Sequence, residues 1–332
     1  MTIVYKTIRL ESDIDLLSAK HQLIIMVGEI VKNSVLKRLV LGLCNHGCLE
    51  FLGDKNVTKI VYSLKSDEKM DWNYPVTFNQ KLQWLKIHDH NPVYTQLVDK
   101  IKAKEIVGSI IGNEHIVPMY GSWDKAEDIP FGSLPEKYVL KCNHDQGSVV
   151  LVDSNHEVDK ESLRRYYKKR LKRKNYYLTR EYGYKNIIPK VFAEKYLGEQ
   201  IKDYKFYCFN GEPKFLYVGQ GLTCDHSLKI DYFDLDWNIM PFYRTDYDRL
   251  GSVTKPQQLE QMIEIATKLS EGFPFVRIDL FEIDDVVYFS EFSPCPASGY
   301  MPFVPNEYDR IVGSWLKLQE YDKKNKNYVD FV

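Results

Sequence analysis

The stretch FVRIDLFEIDDVVYFSEFSP, residues 275–294, constrains the fold more tightly than any other part of the chain. Two segments of alternating apolar character flank an Asp-Asp pair, which is the pattern of a β-hairpin turning at Ile283-Asp284-Asp285, with the return strand starting at Val286. Side chains two apart on a strand share a face, so Arg277 and Asp279 point one way while Val276, Ile278 and Leu280 pack on the other. The return strand brings Glu291 back beside them. Two carboxylates a few Å apart repel unless a cation stands between them. A divalent metal or the guanidinium meets that need, and Mg²⁺ favours one or two carboxylates together with phosphate oxygens. An Arg–Asp ion pair on a solvated sheet face would leave the same signature, so the choice falls to the rest of the chain.

At 332 residues with 44% apolar content, the chain has room for two or three subdomains around a real core. Its 45 Lys and Arg nearly balance 46 Asp and Glu, which gives no global nucleic-acid signature. The opening MTIVYKTIRLESD lacks the marks of a signal peptide, and the longest apolar run, LIIMVGEIV at 23–31, is short and carries Glu29. A cytoplasmic location is therefore expected. The six cysteines are mostly scattered singly, as reduced thiols are. Only Cys44-Asn45-His46-Gly47-Cys48 clusters potential ligands, and it lacks the second pair that a tetrahedral zinc site needs.

Apolar residues recur every three to four positions in LLSAKHQLIIMVGEIVKNSVLKRLVLGLC, predicting N-terminal helices whose apolar faces cover the core, form a dimer contact or rest on a membrane. TFNQKLQWLK opens with Thr77 as an N-cap and sets Phe78, Leu82 and Leu85 on one face; Asn91-Pro92 ends that helix and a second runs through Val107. EHIVPMYGSW reads as a short strand and turn, YVLKCNHDQGSVVLV as strand, polar loop and strand, and KESLRRYYKKRLKRKN as a basic helix with Leu163, Tyr167 and Leu171 as its apolar stripe. A strand-rich region, one more helix and the closing hairpin complete an α+β protein with a sizeable antiparallel sheet. No repeat is visible, and the one low-complexity segment is the tail YDKKNKNYVDFV.

Several residues have the chemistry to hold a nucleotide. Lys141 ends a strand beside a loop containing Gly147 and Ser148, where an ammonium and backbone N–H groups can close on phosphate oxygens; many plain hairpins share that description. Residues Ala193 to Leu197 offer an apolar slot with backbone donors and acceptors for a base. Asp203 and Lys205 share one strand face, either as a ribose carboxylate beside a phosphate-side ammonium or as a solvated ion pair.

The order of these pieces resembles the ATP-grasp superfamily: Lys104 late in the helix VDKIKAKEIV, the strand and loop at Lys141, a Glu-Lys-x-Leu hinge from Glu194 to Leu197, and a closing Arg-x-Asp and Glu hairpin. TFNQKLQWLK, KYVLKCNHDQGSVV, DYKFYCFNGEPKF, YFDLDWN and FPFVRIDL look, more narrowly, like the TupA-like ATP-grasp family of bacterial surface-polysaccharide gene clusters, over roughly residues 75–305. The resemblance implies two α+β subdomains gripping ATP. It divides the chain into an N-terminal helical extension (1–70), a preceding region (71–135), a small subdomain with the phosphate loop and basic helix (136–195) and a large subdomain with the Mg²⁺ site (196–320). It implies that Lys104 and Lys141 contact the α- and β-phosphates, that Glu194, Lys195 and Leu197 line the adenine slot, and that Asp203 holds the ribose. Arg277 then clamps the transferring phosphoryl group while Asp279 and Glu291 bind one or two Mg²⁺. Ser293 stands where many ATP-grasp enzymes place Asn, a weaker oxygen ligand at that position.

The implied reaction is ATP-dependent amide formation through an acyl phosphate, joining an amino acid or other amine to a uronic acid of a surface glycan. Eight Lys or Arg in the eleven positions 164–174, followed by Arg180 and Lys185, would attract an anionic sugar, a sugar-diphosphate carrier or an acidic membrane surface, unless they form only a solvated helix face. Peripheral contact with membrane-bound polysaccharide machinery, at the inner face of the membrane, goes with that reading; nucleic acid does not, for want of a binding module. His144 and Asp145 sit on the phosphate loop, placed to orient substrate or carry a proton or simply to be polar loop residues. In Pro296-Ala297-Ser298-Gly299-Tyr300, Ser298 and Gly299 leave space for a substrate carboxylate. A glycosyltransferase using Asp234-Leu235-Asp236 and a non-catalytic nucleotide-binding scaffold are the alternatives. Oligomeric state is not legible.

Overall fold

The computed structural model describes residues 34–66, 68, 70–153, 159–198, 201–221 and 227–318; the run 23–31, Cys224 and the tail YDKKNKNYVDFV lie outside these. Two compact units divide the chain at Asp71 and Trp72. In the first, helix α1 spans Ser34–Asn45 and α2 spans Asp54–Lys65. Helix α2 buries Val57, Ile60, Val61 and Leu64, one stripe at helical spacing, whereas Val35, Leu39 and Leu43 on α1 are exposed rather than buried as core cover.

The second unit opens with α3, Phe78–His88. Thr77 and Gln80 form a reciprocal capping box, worth about 1 kcal/mol, and Phe78, Leu82 and Leu85 turn inward as their spacing predicts. The helix expected to run through Val107 is two: α4 spans Val93–Val98 and α5 spans Lys100–Ile111. Asp99 breaks them apart in an extended conformation and caps α5, its Oδ1 accepting from the Ile101 and Lys102 N–H groups. Strands β1 (Met119–Trp123), β2 (Lys137–Cys142), β3 (Val150–Asp153) and β4 (Val191–Lys195) form a sheet in the order β1-β4-β2-β3. Helix α6, Lys160–Arg170, packs on it through Tyr167, whose hydroxyl lies 2.9 Å from the Leu140 and Ser148 carbonyls.

The larger sheet has β5 (Lys202–Phe209), β6 (Glu212–Gln220), β7 (Lys229–Asp234), β9 (Asp248–Arg249), β10 (Phe275–Ile283) and β11 (Val286–Ser293), ordered β11-β10-β5-β6-β7-β9; β8 (Tyr243–Arg244) pairs with β12 (Phe303–Val304). One face presents Phe206, Cys208, Leu216 and Ile278 to α5 and to α7, Leu259–Ser270. The other face is divided. Its apolar end, with Tyr207, Phe209, Phe215 and Phe275, lies under α3 and α8 (Glu307–Trp315), where each buried aromatic side chain contributes roughly 1.5–3 kcal/mol. Its other end is charged.

Candidate active site on the charged sheet face

The hairpin turns where its sequence places it, with Asp284 and Asp285 both at positive φ (50° and 60°), the conformation of a two-residue type I′ turn. Its register then shifts. Leu280 pairs with Phe289 but Asp279 pairs with Glu291, so Ser290 is an extra residue bulged out of β11. Without that bulge Glu291 would face Ile278 on the apolar side; with it, Glu291 and Ser293 join Arg277 and Asp279.

Arg277 grips the fully buried Asp279 through two 2.6 Å hydrogen bonds, and its second amino group reaches Ser293 Oγ at 3.0 Å and Glu291 Oε1 at 3.3 Å. Lys205 Nζ lies 2.6 Å from Asp279 and 3.4 Å from Asp203. Both cations lie over the Tyr217 ring, 6.0 and 5.9 Å from its centre. Lys100 approaches from α5, with Nζ 3.5 Å from Glu291. Burial by itself would raise the Glu291 carboxyl, but Lys100, Lys205 and Arg277 together take it down to about 2. Burial pushes Asp279 up against the pull of Arg277 and Lys205. Glu291 is thus an ionised oxygen donor set beside a second carboxylate and a hydroxyl, a donor set that fits Mg²⁺ completed by phosphate oxygens. Among the described residues no group of three or more His, Cys, Asp or Glu forms a self-sufficient metal cage, at Cys44–Cys48 or elsewhere.

The smaller sheet brings Lys104 and Lys141 together at Glu194. Lys104 Nζ is 3.1 Å from its carboxylate, and Lys141 pairs with the other oxygen. Burial opposes ionisation of Glu194, but the two ammoniums outweigh it and hold its pKa below the ordinary range. Lys195, next along β4, is exposed; Leu197 is half-buried, and Gly198 takes φ 132° as the chain leaves the strand.

The loop after β2 is latched by its own side chains. Ser148 Oγ accepts from Cys142 N and donates to Asp145 Oδ1, Asp145 Oδ2 meets Arg170 Nε at 2.9 Å, and Arg170 donates to the Gln146 carbonyl. Gly147 supplies a left-handed turn at φ 74°. The Ser148 hydroxyl is therefore committed to the loop. His144, expected to orient substrate or move a proton, turns inward instead: it is 4% exposed, its ring nitrogen bonds the Arg170 carbonyl, and burial lowers its pKa. Arg180 departs from expectation in the same way. It is 1% exposed with its guanidinium over Tyr176, whereas Lys185, over the same ring, is exposed. Part of the expected basic patch is neutralised by Glu161, Glu127 and Asp145.

Beyond β11, Ala297, Ser298 and Gly299 all adopt left-handed backbone angles, costing roughly 1–3 kcal/mol at each of the two non-glycine positions. Gln83 and Lys86 on α3 hold this turn through the Ser298 and Gly299 carbonyls, and a Cβ at Gly299 would meet Gln83 Nε2 at 2.5 Å. Ser298 Oγ donates to Glu181 at 2.6 Å. Of the Asp234-Leu235-Asp236 run, Asp234 accepts from the Asn238 N–H and side-chain amide. Lys100, Tyr217 and Glu181 were invisible to sequence reasoning. Only Lys100 had a signal, the Asp-Lys pair at the start of α5, where the capping Asp99 fixes the direction of the next side chain.

Two α+β layers, one bearing paired lysines and a Gly-Ser loop and the other a face of alternating charge, are the layers of an ATP-grasp protein. The chain belongs to the TupA-like ATP-grasp family, whose model matches residues 80–317. Among solved structures it is similar to the D-alanine–D-alanine ligase of Bacillus anthracis complexed with ATP (15% identity, 69% of this chain, 68% of that one, TM-score 0.41). The L-amino acid ligase of Bacillus licheniformis matches at 14% identity over 75% of this chain and 56% of that one, TM-score 0.42. The D-alanine–D-alanine ligase of Coxiella burnetii matches at 12% identity over 82% and 67%, TM-score 0.40. The chain thus spans between about half and two thirds of these proteins. No curated protein is a significant sequence relative. Among the described residues no helix is long and apolar enough to cross a membrane.

Proposed function

We propose that the protein is a carboxylate–amine ligase that uses ATP to join an amino acid or other amine to the carboxyl group of a uronic acid, in making a capsular or other surface polysaccharide. The observation that carries this reading is the face where Lys205, Arg277, Asp279 and Glu291 converge and Lys100 arrives from the start of α5. Cations stand where triphosphate charge would collect, and ionised oxygens stand among them.

In the first step a carboxylate oxygen of the acid attacks the γ-phosphorus, the bond to the β–γ bridging oxygen breaks, and ADP leaves with its electron pair. In the second the amine nitrogen attacks the acyl carbon. The C–N bond forms, the C–O bond to phosphate breaks, inorganic phosphate departs and the nitrogen gives up a proton. Arg277 and Lys205 stabilise charge on the transferring group, and Lys100 joins them. Lys104 and Lys141 turn from Glu194 to the α- and β-phosphates, Lys195 and Leu197 border the adenine, Asp203 holds the ribose hydroxyls, and the backbone at Gly147 closes over the phosphates. Asp279, Glu291 and Ser293 would hold Mg²⁺, which when bound neutralises charge on the β- and γ-phosphates. Lys169, Lys172, Arg173 and Lys185, all exposed, favour a polyanionic carrier or an anionic membrane surface near the site.

The test is ADP release from purified protein given ATP, Mg²⁺ and a panel of uronic acids and amines, with products weighed. ADP and phosphate should appear only when both acid and amine are present, with a product lighter than their sum by one water. Consumption of a sugar nucleotide without ATP would instead make the protein a glycosyltransferase.

A further inference from the structure

The charged half of the sheet face gives way to the apolar half within one strand, since Phe275 stands two residues before Arg277 on the same side of β10. At that junction a small open pocket lies between α3, α4, residues 181–184 and the chain leaving β11. Its walls include Leu82, Leu85, Val98 and Phe275, and Lys86 lies among them.

Lys86 differs from Lys104, the other buried lysine among the described residues. It is 5% exposed, and its ammonium donates only to neutral oxygens, Gln83 Oε1 at 3.0 Å and the Ser298 carbonyl at 2.7 Å. Lys104, buried almost as deeply, has Glu194 at 3.1 Å. The remaining neighbour of Lys86 is the Tyr300 ring, whose centre is 5.2 Å from Nζ; no carboxylate comes within 4 Å of it among the described residues, and a buried charge without a counter-ion is costly. Such a charge is retained where an anion arrives from outside. The pocket also borders the charged face: Pro294 and Cys295 on its wall follow directly from β11, and so does the turn that Lys86 holds.

We propose that Lys86 binds the carboxylate of the amine-side substrate, so that this substrate is an amino acid with a free carboxylate rather than a simple amine. The inference rests on the ligase reading and narrows it. The reacting carboxylate of the acid must meet the γ-phosphate between Arg277 and Glu291, so an anion at Lys86, off that line, is a non-reacting one. The apolar walls suit an amino-acid side chain and would leave the hydroxyls of a sugar unpartnered. Glu181, on the same pocket and bonded by Ser298, places negative charge where an ammonium would lie.

The experiment is calorimetric titration of the full chain, loaded with Mg²⁺ and a non-hydrolysable ATP analogue, using glycine, L-alanine, L-serine, L-threonine, L-lysine and L-glutamate against their carboxamides. At least one amino acid should bind tenfold or more tightly than its carboxamide. Lys86→Gln, which keeps a donor for Ser298 and loses the charge, should erase that preference while the analogue still binds, and Lys86→Arg should restore part of it. If Lys86 is only a strut for the turn, Lys86→Gln keeps the preference, or no preference exists while the analogue binds; either result overturns the inference and leaves the ligase reading standing. Failure of the wild-type chain to bind the analogue overturns both.

Discussion

Two buried Arg–Asp pairs stand in the same unit and do different work. In the loop after β2, Arg170 and Asp145 have their partners mainly in the loop itself, Ser148 and the Gln146 carbonyl, with Lys100 reaching the Asp145 carbonyl from α5. Every donor closes on the loop itself. In the hairpin, Arg277 and Asp279 are paired just as closely, yet the groups around them, Glu291, Lys100, Lys205 and Asp203, come from two other strands and a helix and keep 12–29% of their side chains exposed. The first pair is held mainly by its own loop, whereas the second gathers groups from several elements on one face, the arrangement a site would need.

Variants on the two sides should separate these roles. Glu291→Gln, on the hairpin side, should lower Mg²⁺-dependent ADP formation by about 10²-fold or more in steady-state assays, with a smaller change in denaturant midpoint than any loop variant. Asp145→Ala, on the latch side, should cost about 3 kcal/mol in urea unfolding, because it leaves the Arg170 guanidinium buried without its carboxylate. An equal loss of stability in both variants would erase the distinction. Lys141→Ala should weaken ATP binding about tenfold, or about 1.4 kcal/mol, by calorimetry. Acid tests the hairpin again. Because the folded Glu291 titrates at about 2 rather than its ordinary 4.5, its contribution to stability is full above pH 4.5 and is lost as pH falls through about 2. Thermal melts of wild type should drop more steeply across that window than those of Glu291→Gln. Smallest, Thr77→Ala should cost about 1 kcal/mol through the α3 cap and leave ATP affinity unchanged.

Much of the site was legible as chemistry before it was legible as geometry. Arg277 with Asp279, and Asp203 with Lys205, could be placed on shared faces because strand side chains alternate, and the order of lysines, hinge and hairpin carried the family; Glu291 joins Arg277 and Asp279 on their face only through the bulge. His144 and Arg180 were misleading for a physical reason: polar residues in a loop or a basic run look exposed in sequence, and only packing against α6 and Tyr176 turns them inward. Lys86 was hidden the other way, as an ordinary charged position on an amphipathic helix until the turn at Ser298 closed over it.

What the amino-acid order determined by itself is local: the Thr77 cap, the Asp284-Asp285 turn, the period of each strand and the helix break at Asn91-Pro92. These depend on backbone preferences and on neighbours within a few residues. The bulge at Ser290, the meeting of Lys104 and Lys141 at Glu194, and the reach of Lys100 to Glu291 were decided by tertiary structure alone, because each joins residues far apart in the chain. A one-residue change of register was enough to carry Glu291 from the apolar side of the sheet to the charged one.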